Sequence, residues 1–272
     1  MWQQLQDTGG LIYMSRITDA FKNGKVFIPF ITGGDPDIET SFELIRTMAI
    51  NGADIIEIGI PFSDPIAEGP VIQEADVRAL NSGTTTDKLF DLVVRLRKEI
   101  DTPLIFMTYM NPIYVYGTER FLAKCKEVGI DGVIVPDVPF EEKEELSKEC
   151  EENGIDLISM IAPTSEDRIE NIAKEAKGFI YCVSSLGVTG VRSEITTDIG
   201  KMVEHVKKVT DTPVAVGFGI SEPAQAKKMA GLSDGAIVGS AIVKIVAKYG
   251  KESVPYVAEY VKSMKAAVSS ND

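Results

Sequence analysis

The sequence predicts a single (β/α)8 TIM barrel, an α/β fold closed by parallel strands. Eight short, nearly continuous apolar runs recur along the 272 residues, each followed by a helical pattern. Apolar strands alternating with helices belong to a parallel sheet covered on both faces. A unit of roughly 30 residues repeated eight times fills the ~250 residues typical of this barrel. A doubly wound sheet fits less well, because the turn after the first run reads TGGDPD rather than Gly-x-Gly-x-x-Gly.

The runs are VFIPFIT (26–32), DIIEIGI (54–60), PLIFMTY (103–109), DGVIVPD (131–137), DLISMIA (156–162), FIYCVSS (179–185), PVAVGFG (213–219) and GAIVGS (235–240). Helical stripes lie between them, such as Leu89, Leu92, Val93, Leu96 and Ile100, or Ile169, Ile172, Ala173 and Ala176. Gly-Ala-Asp (52–54) and Gly-Ile-Asp (129–131 and 154–156) mark the same helix-stop, strand-start junction. SRITDAFKNG, before the first run, predicts an extra N-terminal helix across the bottom of the barrel. Residues 1–14 fit no element and lack the basic and apolar regions of a signal peptide. They are expected to be an upstream or disordered extension, with the barrel at 15–268.

Spacing adds a second message. Most runs begin 22 to 28 residues apart, but the second-to-third interval is 49 and the sixth-to-seventh is 34. The surplus falls after the strands, at 61–85 and 185–195, and predicts long βα loops on the face where barrels keep their chemistry. Tolerated surface insertion is the plainer reading of such surplus, but both segments carry chemically loaded residues.

Composition excludes several function classes. The formal charge of −13 comes without a basic block, which points away from nucleic acid. No apolar run reaches the ~18 residues of a membrane helix. Cys125, Cys150 and Cys182 lack metal-ligand spacing and read as buried thiols in a reducing cytoplasm. The single histidine, His205, falls off the apolar stripe of its helix (Ile199, Met202, Val203, Val206 and Val209) and is expected on the solvated surface. Histidine metal sites and histidine-based triads therefore fall away.

The chemistry concentrates in carboxylates. Glu57 is the charged residue well inside a strand, on the face shared with Ile55 and Gly59, which is expected to leave space above it. A structural carboxylate would be paired with a cation, yet no strand offers an interior Lys or Arg. An unpaired, desolvated glutamate has its pKa raised and suits proton transfer near neutral pH. Glu68 lies among Pro61, Pro65 and Pro70 on the following loop, where solvation is the default and the place above the barrel mouth is its claim. GFGIS (217–221) and GSAIV (239–243) end the seventh and eighth strands, where barrels often bind phosphate through backbone amides and a helix N-terminus. Tight strand–helix packing would also place glycines there. SLGVTG (185–190) could close over the same anion. Phe30, Tyr109, Tyr181 and Phe218 offer apolar surface near the strand ends, or else core filling.

Together FIPFITGGDP, EIGIPFSDPIAEGPVIQ, VPDVP, SSLGVTG, GFGIS and VGSAIVK resemble the tryptophan synthase alpha chain family from residue 15 to about 268. The resemblance implies a cytoplasmic lyase of tryptophan biosynthesis. It would cleave indole-3-glycerol phosphate to indole and glyceraldehyde 3-phosphate without metal or organic cofactor, in an α2β2 complex with a beta subunit. It also implies Glu57 and Glu68 as catalytic carboxylates, supported by Tyr181 and Thr189. Gly190, Gly219, Gly239 and Ser240 would contact phosphate, and Phe30, Ile72, Tyr109, Ile134 and Phe218 would line the indole pocket. Residues 61–65 and the turn around Asn111 would face the beta subunit. Glu68 departs from the family pattern, which has aspartate, so a rival reading is a catalytically weakened barrel that mainly activates a beta subunit. Metal epimerases and Schiff-base aldolases fit worse, since the chain lacks histidine ligands and a strand-end lysine. Asp137, at the end of the fourth run, orients the site or caps a turn.

Overall fold

The computed structural model describes residues 15–164, 166–183, 199–217 and 219–270. After a short helix α1 (Arg16–Ala20), strand β1 (Val26–Thr32) leads to α2 (Ile38–Ile50) and β2 (Ile56–Gly59) to α3 (Pro70–Asn81) and α4 (Thr86–Leu96). Next come β3 (Leu104–Met107), α5 (Met110–Tyr116), α6 (Thr118–Val128), β4 (Gly132–Ile134), α7 (Glu144–Asn153), β5 (Asp156–Leu157) and β6 (Ser159–Ile161). The chain continues through α8 (Glu166–Glu175), β7 (Ile180–Val183), α9 (Ile199–Lys207), β8 (Val214–Gly217), α10 (Pro223–Leu232), β9 (Gly235–Val238), α11 (Ser240–Tyr249) and α12 (Val254–Ser269).

All strand pairs among the described residues are parallel, in the order β5-β4-β3-β2-β1-β9-β8-β7-β6. The predicted fifth strand is therefore split. Its first piece, β5, pairs with β4 and its second, β6, with β7, so the chain itself closes the barrel through Ile158. Ile158 N–H still donates to Val133 O at 3.0 Å, which keeps the two halves in one wall.

Strand alternation sorts the core into two layers. Val26, Ile28, Phe30, Ile55, Ile105, Met107, Ile134, Phe179, Tyr181, Ala215 and Ile237 point into the barrel. Phe27, Ile31, Ile56, Ile58, Phe106, Val133 and Val216 point out, beneath the helices. The predicted N-terminal helix is present as α1, and its Ile17 is fully buried with the inward layer. Phe21 packs on Phe179 with ring centroids 5.8 Å apart, so this segment plugs the bottom of the barrel. Gly129 and Gly154 end α6 and α7 in the left-handed conformation, at φ 88° and 70°, as their junctions predict.

About half of the predicted long loop at 61–85 is a helix, α3. Pro70 occupies the first turn of α3, where its missing N–H costs nothing, and Ile72, Ala75, Asp76 and Ala79 form the buried face. The polar Asp76 interrupts that stripe, which hides it from a search for apolar periodicity. The second predicted loop, 185–195, lies outside the described residues. His205 is half-buried rather than solvated, because α9 packs on α8 and brings its Nε2 to 3.6 Å from Glu170.

Candidate active site

The top of β2 presents Glu57 to the barrel interior, level with Phe30 on β1 and Ile105 on β3. Glu57 is 1% exposed, and its Oε1 has no hydrogen-bond partner among the described residues. Burial, reinforced by the charge of Glu68, pushes its pKa up to about 8. The predicted space above it is filled: a Cβ on Gly59 would meet the Phe30 ring at 2.7 Å. The same ring touches Gly239 on its other flank, with a would-be Cβ 3.3 Å away. The two strand-end glycines thus admit Phe30 to the floor of the site.

Glu68 is buried, not solvated. Its loop is tied at two points. Ala67 N–H donates to Tyr109 Oη at 3.1 Å, and Gln73 Nε2 donates to Glu68 O at 2.7 Å. Phe62 also packs on Tyr109, with centroids 5.6 Å apart. The tip of the loop is open to solvent: Ser63, Asp64 and Ile66 are exposed.

Opposite, Tyr181 on β7 leans over Gly217 on β8, where a Cβ would come within 2.5 Å of the phenol oxygen. Burial raises the Tyr181 phenol well above its ordinary range, and the charges of Glu57 and Glu68 add to that. Tyr109 is likewise raised, by burial and by Glu68. Both phenols stay protonated and are positioned as donors.

The structure thus gathers Glu57, Glu68, Tyr109 and Tyr181 at one mouth, above Phe30, Ile72 and Ile134 of the inward layer. Gly219, at φ 77°, follows β8, while Gly239 and Ser240 open α11. The two turns differ. Gln225 Oε1 accepts from Ser221 N (2.8 Å) and Glu222 N (3.0 Å), so α10 is capped by its own side chain. Among the described residues no side chain caps α11, the short extra helix after β9, whose first amides suit an anion. Thr189, Gly190 and Phe218 lie outside the described residues.

Two features escaped sequence reasoning. Asp76 is 6% exposed, with its pKa raised to about 8 by burial and by Glu68. Asp35 is 1% exposed and receives both Arg78 Nε and Nη2 at 2.8 Å. The one available signal was the position of Asp76 within the apolar stripe of α3. Asp137 caps a helix: both its oxygens accept from Met110 N, at 2.9 and 3.1 Å, at the start of α5. Among the described residues no group of three His, Cys, Asp or Glu could hold a metal ion.

A buried carboxyl with a raised pKa beside a second buried carboxyl group suits acid–base chemistry. The family model of the tryptophan synthase alpha chain matches residues 17–269. The chain belongs to the tryptophan synthase alpha chain family. It is a lyase that cleaves indole-3-glycerol phosphate into indole and glyceraldehyde 3-phosphate, and alpha chains of this family form a complex with a beta subunit. The alpha chain of Lacticaseibacillus casei is 48% identical over 255 residues, covering 94% of this chain and 96% of the relative. The Mycobacterium tuberculosis tryptophan synthase structure matches with a TM-score of 0.87 at 31% identity, covering 94% of this chain and 99% of that one. The alpha subunit from Legionella pneumophila matches at 0.85 and 35% identity, covering 94% and 98%.

Proposed function

We propose that Glu57 and Glu68 divide the lyase chemistry, with Glu57 as proton shuttle and Glu68 as partner of the indole N–H. The observation that carries this is the orphan Oε1 of buried Glu57, a protonated acid near neutral pH. The Glu57 carboxylic acid protonates indole C3, and the ring's positive charge spreads to N1, where the Glu68 carboxylate balances it. The Glu57 carboxylate then takes the proton of the hydroxyl on the carbon attached to C3. That C–C bond breaks, its electron pair restores the indole, and the aldehyde leaves with Glu57 reprotonated.

Tyr181, over Gly217, hydrogen-bonds within the reacting cluster, and Phe30, Ile72, Tyr109, Ile134 and Phe218 hold the indole ring. Gly219, Gly239, Ser240 and Gly190 bind the phosphate, and Thr189 closes with Glu68. Glu68 stands where the family has aspartate, so the loop must sit slightly farther back to accommodate the extra methylene. The barrel spans 15–268, with 1–14 outside it, and functions in the cytoplasm as half of an α2β2 complex. The three buried free thiols are consistent with a reducing compartment. Residues 61–65 and the turn around Asn111 face the beta subunit; the exposed apolar side chains Ile66, Tyr114 and Val115 lie just beyond these segments.

The test is indole release by the complex with Glu57→Gln and Glu68→Gln. Each substitution is expected to lower kcat by about 10²–10⁴-fold with the fold intact. Full activity of Glu68→Gln removes Glu68 from the mechanism.

A further inference from the structure

We propose that the cavity between α7 and α8 binds a medium-chain alkyl carboxylate, with its chain along the cavity floor and its carboxylate on Lys143. The helices that cover the barrel pack on their neighbours: α2 on α4, α4 on α6, α6 on α7 and α8 on α9. Between α7 and α8 that packing thins, where the strand beneath them divides into β5 and β6. A cavity of about 670 Å³ lies there, within the size range of small-molecule sites. None of Glu57, Glu68, Tyr109 and Tyr181 lines it, so it is separate from the barrel mouth.

The walls select the ligand by shape and by charge. The lining runs from Pro139 and Thr164, ahead of the two helices, to Glu151 and Lys177 at their far ends. Each helix has 10 residues and is therefore about 15 Å long, which makes the cavity a trough for an extended chain. Its floor is apolar, with Val135, Leu157, Ile158 and Ile172. At its lip Lys143, Arg168, Lys174 and Lys177 outnumber Glu151 and Glu175. In a chain of formal charge −13 that local excess of cations favours an anion.

Among the lining cations Lys143 is set deepest, with its side chain 18% exposed. Its ammonium stands 4.1 Å from the centre of the Phe140 ring, which holds it at the lip. Its ion-pair partner across the trough, Glu175, is 3.1 Å away and 61% exposed. An incoming carboxylate replaces Glu175 at little cost, because an exposed carboxylate returns readily to water. Arg168, Lys174 and Lys177 are more exposed and are paired with Glu141, Glu170 and Glu151. One deep cation matches one negative charge, and the apolar floor matches the chain.

The test is a calorimetric titration of the full chain, with the active site saturated by 3-(indol-3-yl)propyl phosphate. The probes are decanoate and decan-1-ol, which share the chain and differ in charge. Decanoate is expected to saturate a single site and to bind about tenfold more tightly than decan-1-ol, the margin of a charge-assisted hydrogen bond. Lys143→Met keeps the apolar stem and removes the ammonium, and is expected to bring the two probes to within about twofold. Ser147 lines the trough, and its hydroxyl donates to Glu144 O in its own helix. Ser147→Trp is expected to fill the trough and weaken both probes about tenfold or more. Neither residue belongs to the catalytic site, so unchanged indole release by both variants reports an intact fold. No saturable decanoate binding, or decanoate affinity unchanged in both variants, overturns the proposal. Equal affinity of the two probes for the unmodified chain overturns it too, because Lys143 then contributes nothing.

Discussion

Glu57 and Glu68 are both buried, and the charge of Glu68 reaches Glu57 strongly enough to help raise its pKa to about 8. Two acids that in water would ionise near pH 4 are held at one mouth, where the charge of one helps keep the other protonated.

That arrangement weakens the fold. The Glu57 pKa rises from 4.5 in the unfolded chain to about 8 in the folded one. The folded state therefore binds the extra proton, and stability is full below pH 4.5 and is lost as pH rises through 8. The loss is on the order of 5 kcal/mol at most. Glu57→Gln should melt higher than the unmodified protein at pH 8, with the gap closing towards pH 5. Parallel melting curves across that range would show that Glu57 does not titrate there.

The same proton sets the upper edge of activity. In the proposed cycle Glu57 begins as an acid, so kcat should fall as pH rises through about 8. A pH profile of indole release that stays flat to pH 9.5 would contradict this order of steps.

Gly217 gives Tyr181 its place. A methyl group there would sit 2.5 Å from the phenol oxygen and 2.6 Å from a ring carbon. Gly217→Ala should displace the ring and lower kcat/KM about tenfold or more. Tyr181→Phe combined with Gly217→Ala should lose little beyond Tyr181→Phe alone, since both act on one hydroxyl. Additive losses in that cycle would separate the two residues.

The Asp35–Arg78 pair should be asymmetric under mutation. Arg78→Leu strands a carboxylate that is 1% exposed and should cost about 2–4 kcal/mol, reduced from the fully buried case because the Arg78 side chain is 32% exposed. Adding Asp35→Asn should recover a large part of it. Urea denaturation of the three variants measures the coupling.

Asp137 should act through α5. Asp137→Ala removes the acceptor of Met110 N–H and is expected to cost about 1 kcal/mol. Tyr114 and Val115 are exposed on that helix, so affinity for the beta subunit should fall while indole release by the free chain changes little. Titration with the beta subunit checks the first part.

The sequence by itself determined the barrel, its strand order and the identity of Glu57 as the misplaced acid. Those depend on local signals: alternation along a strand, a glycine at a helix end, a charge where an apolar residue belongs. Only the tertiary structure decided that Glu68 is buried, because its burial comes from Tyr109, Phe62 and α3, which lie far apart in sequence or outside any periodic pattern. It also decided that the fifth strand divides at Ile158, since closure depends on which neighbours each half meets. The roles of Gly59 and Gly217 were settled the same way. A missing side chain says only that space exists, and the ring that takes that space, Phe30 or Tyr181, arrives from the adjacent strand.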